Sequence, residues 1–292
     1  MGAELVVISP HFDDAVLSVG AYIAGRVAAG ERVRVLTVYT SGPPVERLSG
    51  RRRVFGDYAT RCAEDDRALA ILGASADRIG LRERLFRDPL PRSGLAVFRV
   101  PPRADDLTEL PAVLRVVTEV LGDPDTRVLA PLGIGGHHDH VEVAVAAMRA
   151  AADPSVRGRL SFYEDFNALS ELCRRRHPVS VTAPLRWRDA PSLASPLAGM
   201  LVEAMALVSR GAAASTLAGQ DPEDARWVWR SVPVGDTEAA KLRAIAEYRT
   251  QLPALGGGKR VVAMVRRAHR RRGGEILWRL ASGFQGTVPP CG

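Results

Sequence analysis

The sequence predicts an α/β protein: a Rossmann-like, mostly parallel sheet flanked by helices, with a smaller C-terminal β/α portion. Three observations predict it. Apolar or β-branched runs of strand length alternate with helical patterns through the first half of the 292 residues, the signature of a sheet covered on both faces. The first run, LVVIS, passes directly through Pro10-His11-Phe12-Asp13-Asp14 into a helical pattern. Beyond about residue 170 the rhythm changes to short strand patterns around an apolar helical stretch. The chain divides accordingly into a core of residues 1–168 and a variable region of residues 169–292 that caps the core and packs on the same domain.

Taken in order, LVVIS and RVRVLTVYT are strands, joined by a helix over roughly 14–29 that stops near Gly30. SGPPVERLSG is a breaker-rich loop. TRCAEDDRALAILGA is helical, with Cys62, Leu69, Ile71 and Leu72 toward its apolar side and Gly73 as its stop. ADRIGL is a short strand. PRADDLTELPAVLRVVTEVLG contains a helix that tolerates Pro111 because proline fits the first helical turn. TRVLAPL is a strand that leaves into the glycine loop GIGG, HVEVAVAAMRAAAD is a helix, and RLSFYEDF holds a fifth strand. HPVSVTAPLRWR and ARWVWRSVPV read as strands around the helical stretch PLAGMLVEAMALVSRG. TEAAKLRAIAEYRTQL and KRVVAMVRRAHRRRGG read as amphipathic helices, the second ending at Gly273. Trp187, Trp227 and Trp229 read as core packing in preference to a sugar-stacking wall.

Composition narrows the function. Hydrophobic residues at 46% and charged residues at 25% are those of a globular protein. MGAELVV lacks the features of a signal peptide and no run reaches membrane-span length, so a cytoplasmic location without membrane contact is expected. Cys62, Cys173 and Cys291 are odd in number and far apart, which implies no disulfide framework. The net charge of +7 invites a nucleic-acid reading. Its only lysines are Lys241 and Lys259, however, and the arginine run at 259–274 lacks interleaved aromatics for base stacking. It reads as a solvated helix face, and nucleic acid is not the expected partner. No GxGxxG follows the first strand, which disfavours a dinucleotide-binding dehydrogenase.

Of six histidines, four fall in just two places, both at strand-to-helix turns: His11, and His137, His138 and His140. Such turns at the carboxyl ends of parallel strands line the ligand crevice of an open α/β sheet. Two adjacent aspartates would repel and be costly to desolvate without a compensating cation. His11 and Asp14, three apart, suit a turn wrapped around one ion, and His140 completes a two-histidine, one-carboxylate set with a position open for water. Zinc in such a set lowers the pKa of water to about 7; iron(II) or cobalt suits the same donors. Asp13 is placed to accept the water's proton. His137 protonates a leaving amine or stabilises an oxyanion, with Asp139 holding its imidazolium. Either motif alone would also read as a helix N-cap; both together, each at a strand exit, favour the metal. His177 and His269 read as ordinary surface or packing residues.

Strand–PHxDD–helix with a later GxGGHxDH–V resembles the PIG-L/LmbE-like family of zinc-dependent N-deacetylases. Arg61-x-x-Glu64 followed by Ala68 and LGA at 72–74 is similar to the family's R-x-x-E helix. Tyr163-Glu164-Asp165 resembles its YED, and Lys241-x-x-Ala244-x-x-x-Tyr248-x-x-Gln251 its K-x-x-A-x-x-x-Y-x-S-Q helix. The resemblance implies His11, Asp14 and His140 as ligands of one zinc per chain, Asp13 as base, and His137 and Asp139 as the histidine–acid pair at the tetrahedral intermediate. It implies Arg61 as a sugar contact. Phe12 and His138 replace prolines, Ala15 replaces a glutamate, and Gly135 stands where some members carry a tyrosine; His138 reads as a solvent-facing loop residue. The expected activity is removal of an N-acyl group, most simply acetyl, from an amino sugar or glycosylated small molecule, in a setting that suits natural-product biosynthesis. An amidase acting on a thiol–sugar conjugate and a non-catalytic sugar-binding protein are the alternatives, and a homo-oligomer is left open.

Overall fold

A computed structural model describes residues 4–48, 50–166, 177, 179–180, 200 and 227–280. The strand and helix expected within 178–226, Trp187 included, lie outside them, apart from isolated positions. Among the described residues seven strands form one sheet in the order β3-β2-β1-β4-β5-β7-β6. They are β1 (Glu4–Ser9), β2 (Arg32–Ser41), β3 (Ser75–Arg82), β4 (Thr126–Pro131), β5 (Leu160–Tyr163), β6 (Trp227–Val232) and β7 (Glu275–Leu280). β3, β2, β1, β4 and β5 run parallel, whereas β7 is antiparallel to both β5 and β6. β7 was not anticipated: EILWRL follows two glycines and an arginine-rich helix, and its partners lie far away in sequence. Through β6 and β7 the sheet continues past residue 168.

Among the described residues the α-helices are α1 (Asp14–Ala28), α2 (Gly50–Gly56), α3 (Tyr58–Leu72), α4 (Leu110–Leu121), α5 (His138–Ala150), α6 (Pro154–Arg157), α7 (Thr237–Ala246) and α8 (Gly258–Arg272). Side-chain alternation on the strands sorts them into two layers. Val6, Ile8, Leu36 and Val128 pack with α4 and α5, while Leu5, Val7, Val35 and Leu129 pack with α1, α3, α7 and α8. Each fully buried aliphatic side chain contributes roughly 1.5–3 kcal/mol, so the central strands hold the site's scaffold rigid. α3 ends on Gly73 in the left-handed conformation (φ 73°), and α8 on Gly273 (φ 75°), as the sequence predicts. Along α8, Val261, Met264, Val265 and Ala268 are buried and most of the arginines are exposed.

α1 is kinked at Val19 (φ −132°, ψ 26°). Glu275 of β7 accepts hydrogen bonds from the backbone N–H groups of Ala21 (3.1 Å) and Tyr22 (2.6 Å), and so caps the helix's second half. Lys241, 1% exposed, donates to Glu275 (2.6 Å) and to the Ser18 carbonyl (3.2 Å). A side chain inserted into the helical ladder is an established cause of kinking. The β7–α7 region thereby fixes the axis of the helix that carries Asp14.

Candidate metal centre

β1 and β4 are neighbours, and the chain leaves them toward opposite sides of the sheet. The crevice expected at such a switch point lies between the β1–α1 and β4–α5 turns. In the first turn, Ser9 donates its hydroxyl to the His11 carbonyl (2.5 Å) and accepts from the Ala15 N–H (3.0 Å). Asp14 accepts from the His11 N–H (2.9 Å), and its same oxygen lies 3.1 Å from His11 Nδ1. Asp13 is the N-cap of α1, yet its side chain makes no capping bond; the helix-cap alternative does not explain it. Burial raises the Asp13 carboxyl to about 6, with Asp14's charge adding and Arg61 opposing.

The second turn needs glycine. Gly133, Gly135 and Gly136 have φ of 72°, 98° and 70°, and a Cβ on Gly133 would stand 3.0 Å from the Val141 Cα. At Gly135, where some resembling proteins carry tyrosine, the backbone takes a conformation that bulky residues rarely adopt. His137 is the N-cap of α5, its Nδ1 accepting from the Asp139 N–H (3.3 Å), which leaves Nε2 as the protonated, donating nitrogen. Burial, with His11 nearby, holds the His137 ring well below its ordinary pKa; it is a neutral donor. His138 is 6% exposed, so the solvent-facing expectation fails: α5 starts at this residue and turns it inward.

His11 and His140 share one design. His11 Nε2 lies 3.0 Å from Asp139 Oδ2, and His140 Nδ1 lies 2.6 Å from Asp165 Oδ1. Each outer nitrogen has a carboxylate, and the inner nitrogens converge. His11 Nδ1 and His140 Nε2 are 3.3 Å apart, and Asp14 Oδ2 is 3.1 Å and 3.0 Å from them. Ligands of a tetrahedral ion at 2.0–2.2 Å stand about 3.3–3.6 Å apart, so this triangle comes within a few tenths of an ångström of the spacing a zinc-sized ion takes, with outer carboxylates that fix each ring's tautomer. A looser set, His11, His137 and His140, has its donor atoms within 4.8 Å of one another; His137 Nδ1 already accepts a backbone bond, and the Asp14 triangle is the tighter.

Electrostatics point the same way. Burial would lower His11, but hydrogen bonds to Asp139 and Asp14 raise it to about 9. His140 is raised well above its ordinary value despite burial, through Asp14 and Asp165. Burial would raise Asp14 and Asp139. His140 and His11 hold Asp14 well below the carboxylate range, and His11 and Arg87 do the same for Asp139. The cluster is built for positive charge, which answers how Asp13 and Asp14 tolerate each other.

Two expected roles come out differently in geometry. Asp139 was expected to hold His137; its carboxylate instead meets His11, because the first turn of α5 points it across to β1's turn. Arg61, expected at a sugar, is 3% exposed. It donates to Glu83 (2.5 Å) and to the Phe55 carbonyl (2.8 Å), with its guanidinium over Phe12 (5.3 Å) and Tyr58 (5.4 Å). Sequence reasoning did not single out Arg87, Glu142 or Glu83. The sequence marks Asp165 and Tyr163 only as part of YED; Asp165 also accepts from the Ile134 N–H (2.9 Å), and Tyr163 donates to the Ile8 carbonyl (2.9 Å). His177 and His269 are buried packing residues, bonded to the Leu132 carbonyl (3.0 Å) and to Glu238 (2.7 Å). Trp227 packs edge-on to Phe162; Trp229 is 51% exposed, so it is not the core residue expected. No helix among the described residues is long and apolar enough to cross a membrane.

A parallel α/β crevice holding two histidines, an inward carboxylate and an acid free of the helix cap defines a metal-dependent hydrolase. The GlcNAc-PI de-N-acetylase (PIG-L) family profile matches residues 6–151, half of the chain, and the protein belongs to that family of deacetylases. A comparison with curated proteins finds no match. Among solved structures, a deacetylase of teicoplanin biosynthesis superposes with a TM-score of 0.62 at 21% identity, covering 97% of this chain and 100% of that one. The A40926 pseudoaglycone deacetylase Dbv21 gives 0.60 at 21%, covering 96% and 97%. N,N'-diacetylchitobiose deacetylase from Pyrococcus horikoshii gives 0.50 at 17%, covering 96% and 84%. At these identities the likeness is one of fold.

Proposed function

We propose that the protein is a zinc-dependent N-deacetylase whose substrate is an N-acyl amino sugar carried on a glycosylated small molecule. The observation that carries this reading is the triangle of His11 Nδ1, Asp14 Oδ2 and His140 Nε2 beside an acid, Asp13, that makes no capping bond. An ion held by His11, Asp14 and His140 would acidify water and polarise the amide carbonyl. Asp13, ionised above about pH 6, takes the proton of the attacking water and returns it to the departing amine. His137 donates from Nε2 to the carbonyl oxygen as it gains charge. Asp139 and Asp165 keep the inner nitrogens of His11 and His140 unprotonated toward the ion. The sugar assignment draws support from the fold neighbours, whose names place them on teicoplanin, the A40926 pseudoaglycone and chitobiose.

The test begins with elemental analysis of native protein and of His11→Ala purified identically. About one zinc per chain, lost in the variant, is the expected result. A screen of N-acetylated amino sugars and glycosides for free-amine release then assigns the substrate. Native protein that holds no metal after zinc is supplied would sink the hydrolase reading and leave a binding protein on the same fold.

A further inference from the structure

Adjoining the metal triangle through Asp139 lies a second buried charge cluster. Asp139 and Glu142 stand three apart on the first turns of α5, both fully buried. Two like charges so placed repel strongly without a shared cation. Arg87, from the irregular segment after β3, supplies it: one terminal nitrogen donates to Asp139, and the other donates to Glu142 (2.8 Å). The guanidinium lies over the Tyr39 ring (5.2 Å), whose hydroxyl donates to the same Glu142 oxygen (2.7 Å). The Glu109 N–H donates to the other Glu142 oxygen (2.7 Å), and the Arg84 N–H to Asp139 (3.0 Å).

We propose that Arg87 is a positioning residue for the metal, bridging Asp139 and Glu142 so that Asp139 holds His11 with its Nδ1 turned to the ion. The inference rests on the metal reading given above. It follows from a chain of three links: guanidinium to Asp139, Asp139 to His11 Nε2, His11 Nδ1 to the ion. Without the bridge, Asp139 faces Glu142 uncompensated and loses the partner that keeps it aimed at His11. A planar fork can meet two carboxylates at once; an ammonium serves them poorly.

The test measures zinc affinity by competition with a chromogenic chelator, together with thermal unfolding of the metal-free protein, for wild type, Arg87→Met and Arg87→Lys. Arg87→Met should bind zinc about 10–100-fold more weakly, the effect typical of losing a group that orients a ligand. Arg87→Lys should fall between, at least about threefold weaker than wild type. A purely structural arginine would lower the unfolding temperature of the metal-free protein and leave zinc affinity alone; that result overturns the proposal. So does Arg87→Lys with wild-type affinity, which decides the matter if Arg87→Met does not fold. Failure of the wild type itself to bind zinc would instead bring down the metal reading beneath it.

Discussion

The two turns that build the centre use nearly the same residues and divide the labour differently. In the first, Pro10-His11-Phe12-Asp13-Asp14, the histidine and the second aspartate face one point and bond each other, leaving Asp13 with no capping bond. In the second, His137-His138-Asp139-His140, the aspartate turns away from its own histidines and crosses to His11. His140 takes its carboxylate from Asp165, beyond β5. Neither turn is complete alone, so the site forms only when β1, β4 and β5 are in register. Both also sit at the N-termini of α1 and α5, whose dipoles favour ionised Asp14 and Asp139. The roles belong to the partners each side chain meets, and not to the letters of the motif.

The largest effect expected breaks the symmetry between the turns at the ion. Asp14→Ala should lose the metal and lower deacetylation by at least about 10⁴-fold, since both water activation and carbonyl polarisation go with it. His137→Ala should keep its zinc and lose activity alone, by about 10²–10³-fold, as for a lost oxyanion donor. Zinc analysis of the two variants separates the Asp14 triangle from the looser three-histidine set: metal kept by Asp14→Ala and lost by His137→Ala would reverse the assignment. Next in size, Asp13→Asn should cost about 10³-fold in kcat while metal content stays at the wild-type level. An Asp13→Asn protein that loses zinc would make Asp13 a ligand and leave the base unassigned.

The sequence made the inner donors legible because they are local: each sits within a few residues of a strand end, where apolar periodicity stops and polar residues must face a crevice. The outer layer was less so. Asp165 follows a strand that sits beside β4 only in three dimensions, and Arg87 and Glu83 come from a segment with no period to read. Glu142 looked like any polar residue on a helix, and only the fold reveals it 0% exposed beneath Tyr39. β7 escaped because antiparallel pairing across the sheet is non-local, and with it went the source of the α1 kink, Glu275. Residue type points Trp229 to packing, whereas its place on β6, the last described strand of the sheet, leaves the residue 51% exposed. The sugar role of Arg61 rests on resemblance alone, and its buried ion pair with Glu83 depends on a contact 22 residues away.

The smallest effect concerns protons, and it sharpens the electrostatic side of the comparison. In the metal-free protein His11 titrates at about 9 in place of its ordinary 6.5, so at pH 7 the ring is charged. Its raised pKa stabilises the metal-free fold fully below pH 6.5, and that contribution is lost as pH rises through about 9. An ion needs the inner nitrogen bare, so zinc uptake at pH 7 must expel the proton. Affinity should therefore fall as pH is lowered from 9 toward 6.5, by about tenfold per pH unit for each proton displaced. Calorimetric titration with zinc at pH 7, in two buffers of different ionisation heat, counts the protons directly. Release of one or more is expected, together with a metal-free unfolding temperature that declines between pH 7 and 9 while the zinc-loaded protein's does not follow it. Uptake with no proton released would mean that His11 is already neutral, and that the Asp139 carboxylate across the crevice orients the ring without charging it.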